Sequence, residues 1–211
     1  MSILKLFGCK GIFAIEYILT NSNFGEKGIL GESWGQLRLW VNGNDICEYE
    51  RNEEKHLYEY NLIYIIEWFH ENLKYILNND PITLPVAGQN SLEIYKNSGE
   101  YDTEDDEEFN RWFEIRQEWY SRHNWFWNGS GSFLPDVFFR KVIDNIEIAW
   151  DNKETHRESM IEFVNPYGIC YIPQNEFQAV MCNFLTHIID ELLCKLPNET
   201  KLIEMKTALS A

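Results

Sequence analysis

Apolar residues recur along the chain with two different periods. Within GQLRLWVNGNDICEYE, residues 35–50, Leu37, Leu39 and Val41 alternate with Gln36, Arg38 and Trp40, and an Asn42-Gly43 step follows. Alternation at every second residue marks a half-buried strand, and Asn-Gly tolerates the positive φ angles of a two-residue turn. A hairpin is predicted there. In LIYIIEWFHENLKYIL the period changes. Leu62, Ile65, Ile66, Phe69, Leu73 and Ile76 return at the spacing of one helix face. Asn78-Asn79-Asp80-Pro81 ends this helix, because proline lacks an amide hydrogen and disfavours helical backbone in the residue before it.

Residues 81–101 show no convincing period, and the run YDTEDDEE follows. An acidic surface loop is expected over 97–108, with its carboxylates placed where the dipole of the next helix favours negative charge. In that helix, FNRWFEIRQEWYSRH, Phe109, Trp112, Phe113, Trp119 and Tyr120 form one stripe. Glu107 with Arg111 and Glu118 with Arg122 are i,i+4 pairs for the exposed side. The N-terminal stretch reads as one or two strands, and SMIEFVNPYGICYIP as a second hairpin turning through residues 165–168. A final helix over 175–195 carries Phe177, Val180, Met181, Phe184, Leu185, Ile188 and Leu192 on one face, with a short helical tail after Pro197. No internal repeat is present. Antiparallel β-hairpins packed with about three long amphipathic helices imply an α+β fold, and 211 residues are read as a single domain, 1–211.

Charge narrows the function classes. Thirty-four acidic against 18 basic residues give a formal net charge of -16. A field of that sign repels phosphate backbones and attracts basic protein surfaces, so direct nucleic-acid binding is disfavoured. No segment supplies the roughly 20 apolar residues that span a bilayer. The N-terminus, broken by Lys5, Lys10 and Glu16, does not read as a signal peptide, so no membrane association and a cytoplasmic location are expected.

The stretch LPDVFFRKVIDNIEIAW raises the question of metal chemistry, since Pro-Asp followed by an acidic residue resembles metal-dependent nucleases. Asp136 and Glu147 would be the carboxylates of such a hydrolase or nuclease, but Ala149 stands where a lysine would polarise the attacking water. An Asp144-Asn145 turn would pair Ile143 with Ile146 and put Asp136 opposite Lys153, about 20 Å from Glu147 along the strand. That register explains the stretch as a hairpin with a wet side. Val137, Phe139, Ile143, Ile146, Ile148 and Trp150 share an apolar face, while Phe138, Arg140, Glu147 and Asp151 take the other. Arg140 then lies diagonally from Glu147 and Asp151, and Lys141 must snorkel from the apolar face.

Other chemistry finds little support. The five cysteines form no C-x-x-C pair, and Cys182 and Cys194, about 18 Å apart on one helix, cannot bridge; free, mostly buried thiols are expected. The five histidines match no zinc spacing, and Glu67, His70 and Glu71 read as a helix-surface group. Neither G-x-S-x-G nor a phosphate-binding glycine loop occurs. No catalytic residue, cofactor or metal ligand is assigned.

What remains is acidity combined with abundant aromatic residues. Asp102, Glu104, Asp105, Asp106, Glu107 and Glu108 would steer a basic protein surface, and Trp125 and Trp127 beside a Gly/Ser loop would anchor it. The expected function is a non-enzymatic acidic binding module: an inhibitor, immunity factor or accessory subunit of a bacterial or phage complex, with nucleic-acid mimicry as a special case. The order GQLRLWVNGNDI, EWFHENLKYIL, EWYSRHNW and LPDVFFRKVIDNIEIAWDN resembles a group of uncharacterised bacterial proteins over residues 35–195. That resemblance implies one continuous domain and no particular activity.

Overall fold

A computed structural model describes residues 3–22, 24–126 and 131–209. Eleven strands are seen there: β1 (Lys5–Cys9), β2 (Phe13–Leu19), β3 (Trp34–Val41), β4 (Asn44–Asp45), β5 (Tyr49–Arg51), β6 (Glu54–His56), β7 (Tyr58–Asn61), β8 (Phe138–Val142), β9 (Asn145–Asp151), β10 (Glu162–Phe163) and β11 (Tyr167–Pro173). The α-helices are α1 (Gly28–Glu32), α2 (Ile63–Leu77), α3 (Ser91–Ser98), α4 (Asp106–His123), α5 (Gln174–Lys195) and α6 (Thr200–Leu209). All strand pairs are antiparallel, so the fold is α+β. The three long helices are α2, α4 and α5; α3 lies where the sequence shows no period. No helix of the described residues is long and apolar enough to cross a membrane.

One sheet runs β1-β2-β3-β4, with β7 also on β3; a small one runs β10-β5-β6, and a third β11-β9-β8. The β3–β4 hairpin turns as expected: Asn42 and Gly43 have φ of 49° and 83°, and Val41 pairs with Asn44. Leu37, Leu39 and Val41 are fully buried. They join the inward residues of β2, β8 and β9 and the apolar faces of α2 and α5 in one core. Burying this many large side chains is the main term opposing chain entropy.

The β8–β9 hairpin departs from the expected register. Val142 pairs with Asn145, so Ile143 and Asp144 make the turn and Arg140 lies directly opposite Glu147. Asn145 is drawn into the strand by pairing with Pro173, and Asp144 O accepts from Gln174 N at 3.0 Å. These long-range contacts override the local preference for an Asp-Asn turn and leave Ile143 at φ 57°, 81% exposed rather than on the apolar face. A two-residue shift keeps parity, so the other side chains stay on their predicted faces.

The expected wet side of this hairpin is covered. Phe138 and Ala149 pack with Ile94 of α3 and Trp119 of α4 in a second apolar cluster. The third sheet is therefore buried on both faces, which accounts for a carboxylate, Glu147, at zero exposure in its central strand. The second predicted hairpin is also corrected: β10 pairs with β5, and β11 with β9. Trp150 Nε1 donating to Asn165 O, and Asn152 N to Pro166 O, bind the 165–166 segment to β9 instead.

Candidate protein-binding surface

Helix α4 begins on the acidic run. Asp105 is its N-cap, accepting from Glu107 N at 2.9 Å and Glu108 N at 3.0 Å. Asp106, Glu107 and Glu108 fill the first turn, where the unsatisfied amides and the helix dipole stabilise negative charge. Asp102, Glu104, Asp105, Asp106, Glu107 and Glu108 are all exposed, and among the described residues none is in an ion pair. The expected Glu118–Arg122 pair forms, with Arg122 also reaching Asp80 at 3.1 Å, whereas Glu107 and Arg111 make no ion pair. Part of this charge thus has a local task in starting the helix, and its outward field is uncompensated.

The aromatic stripe of α4 divides in two. Trp112 turns inward, stacking on Tyr101 with centroids 3.8 Å apart and donating from Nε1 to Ser98 O at 2.8 Å. Arg116 donates from Nε to Ser98 Oγ at 3.1 Å and lies 3.9 Å over the Tyr95 ring. Trp119 is buried against Phe138. These contacts fix α4 on α3 and on the third sheet. Phe109 and Phe113, one helical turn apart, face outward at 43% and 49% exposure.

The anchors expected from the sequence fall elsewhere. Trp125 is 2% exposed, donates from Nε1 to Pro135 O at 2.8 Å and packs edge-on against Phe69 and Phe139. It is a core residue and offers no ring to a partner. Trp127 lies outside the described residues. The exposed rings beside the acidic run, Phe109 and Phe113, were assigned in sequence to a single stripe. Nothing in the sequence separated them from the inward rings, since Glu107 and Arg111 were themselves expected to pair.

The two carboxylates of the nuclease reading belong to separate hydrogen-bond sets. Glu147 accepts from Ser91 N at 2.7 Å, Ser91 Oγ at 2.5 Å, Arg140 Nη2 at 3.1 Å and Tyr171 OH at 3.2 Å. It thereby ties the first turn of α3 to β9. Asp136 accepts from Tyr120 OH at 3.3 Å and from Asn124 Nδ2, and its main chain is bracketed by Asn152. Continued past β8, the observed register puts Asp136 opposite Asp151, about 13 Å along the strand from Glu147. Burial raises the Asp136 carboxyl above the ordinary range and lowers the His123 imidazole below its own. His123 donates from Nδ1 to Trp119 O at 3.0 Å, and its buried Nε2 has no hydrogen-bond partner.

Among the described residues no group of three or more His, Cys, Asp or Glu is arranged to hold a metal ion. The cysteines are free, with Cys47 and Cys170 buried, Cys182 half-buried and Cys9 and Cys194 exposed. Glu67, beside His70, pairs with Lys201 of α6 at 2.5 Å.

No curated protein and no solved structure matches the chain. A family model does, over residues 33–195, spanning β3 to the end of α5. The chain belongs to that family, a family of unknown function (DUF5984).

Proposed function

We propose that the protein is a non-enzymatic, acidic protein-binding module that acts in the cytoplasm as an inhibitor, immunity factor or accessory subunit of a bacterial or phage complex. Its partner presents a basic protein surface. The observation supporting this reading is the coincidence of six exposed carboxylates at residues 102–108, outside any ion pair among the described residues, with two exposed phenylalanines on the opening turns of the helix that this run leads into. Long-range attraction between an acidic chain and a basic surface raises the encounter rate and falls with added salt. Burial of Phe109 and Phe113 then supplies apolar contact that slows dissociation, each ring contributing on the order of 1–2 kcal/mol. A partner that normally grips nucleic acid would meet carboxylates in the place of phosphates.

The test is capture of partners from a lysate of the source cells on the immobilised chain, with elution across a salt gradient. A basic protein released by moderate salt, and lost when Phe109 and Phe113 are replaced by serine, is expected. Enrichment of nothing at low salt, or of a partner indifferent to both salt and these replacements, would refute the reading.

A further inference from the structure

A second surface lies at the unpaired edge of the five-stranded sheet. Among the described residues strand β1 is bonded only to β2, so one row of its main-chain donors and acceptors faces outward. Protein edges are commonly guarded by lysine, but here Lys5 is drawn to Glu191 and Lys10 to Glu16. The side chains left there are apolar: Ile3, Leu4, Leu6 and Ile12 are 69%, 55%, 46% and 43% exposed.

Alongside runs an open groove of about 800 Å³ between β1 and α5. Its β1 wall is held in place. Phe7 packs against Tyr17, Phe184 and His187, and a Cβ on Gly8, at φ 94°, would meet Phe13 O at 2.3 Å and Val180 Cγ2 at 2.8 Å. The edge is thus preorganised to accept a strand with little further ordering cost. At the groove Asp190 is paired with Lys206 at 2.7 Å, while Glu176, in the first turn of α5, has no ion-pair partner among the described residues. A second copy of the chain would bring another -16 of net charge to this edge, so like-charge repulsion argues against self-pairing.

We propose that the β1 edge binds an extended basic peptide segment by strand addition. Lysine or arginine side chains of the segment would enter the groove towards Glu176, and the apolar ones between them would pack on Leu6 at its rim. This surface shares no residue with the α4 surface, so the two readings stand or fall separately.

The probe is a short labelled peptide of alternating lysine and valine, followed by fluorescence anisotropy with the full chain. Binding is expected. Methylating the peptide's main-chain nitrogens at alternate residues should weaken it about tenfold or more in the register that faces β1. Glu176→Gln should weaken it about two- to threefold. Leu6→Lys, at an exposed position that leaves folding intact by circular dichroism, should abolish it, and Phe109→Ser/Phe113→Ser should leave it unchanged. Equal affinity for the methylated peptides in both registers, or insensitivity to Leu6→Lys, would overturn strand addition. So would light scattering that finds a dimer dispersed by Leu6→Lys, since a second copy would then occupy the edge.

Discussion

Glu147→Gln removes one negative charge from a site with zero solvent exposure and leaves the shape nearly unchanged. The glutamine carbonyl can still accept from Ser91, but its amide then faces Arg140 Nη2 and Tyr171 OH, both of which donate to the carboxylate. Arg140 Nε is already buried without a hydrogen-bond partner, so the guanidinium loses its charge compensation. Breaking a buried pair costs about 3–5 kcal/mol. With 19% of the Arg140 side chain still reaching water, the lower end, about 3 kcal/mol, applies. For a chain of this size that corresponds to a fall in Tm of roughly 6–12 °C. Urea unfolding followed by tryptophan fluorescence measures it, and added salt should recover little of a buried interaction. Arg140→Met in the Glu147→Gln background should restore part of the loss, because the orphaned cation is then removed. Hydrogen exchange should rise first in α3, whose opening turn Glu147 holds. A cost under about 1 kcal/mol, or a double variant no better than the single one, would refute this account of the layer that supports α4.

Other perturbations probe separate parts of the structure. Ile143→Gly should stabilise the fold by up to about 1 kcal/mol, since a β-branched residue at φ 57° is relieved and 81% of its surface is already in water; a lower urea midpoint would contradict the turn geometry. Trp125→Ala should cost about 3–5 kcal/mol in unfolding free energy, whereas a surface anchor would lose binding with its stability intact. The lowered His123 pKa gives stability that is present above about pH 6.5, the unfolded value, and is lost as pH falls through the folded value. His123→Gln should flatten that part of the stability profile, and an unchanged slope would show that other groups cause it.

Helices α2 and α5 were legible because their apolar residues return every three or four positions, and the β3–β4 turn because Asn42-Gly43 admits positive φ. Helix α3 carried a subtler sign. Asn90 caps Glu93 N at 3.0 Å while the Glu93 carboxylate accepts from Gln89 N at 2.8 Å and Asn90 Nδ2 at 3.1 Å, a reciprocal N-x-x-E arrangement without a long apolar stripe behind it. Phe138, on the face assigned to water, already hinted that something covers Arg140 and Glu147. The register of β8 on β9 could not be read locally, since the contacts that set it come from Pro173 and Gln174. Nor does aromatic content reveal which rings are buried: Trp125 is core, while Phe109 and Phe113 are exposed.

The most direct test of the central claim is the affinity of the captured basic partner for the wild-type chain and for Phe109→Ser/Phe113→Ser, measured by calorimetry with urea unfolding as the control. The account predicts a loss of about 30-fold or more in affinity, with unfolding free energy changed by less than about 0.5 kcal/mol. Unchanged affinity in a folded double variant would contradict it.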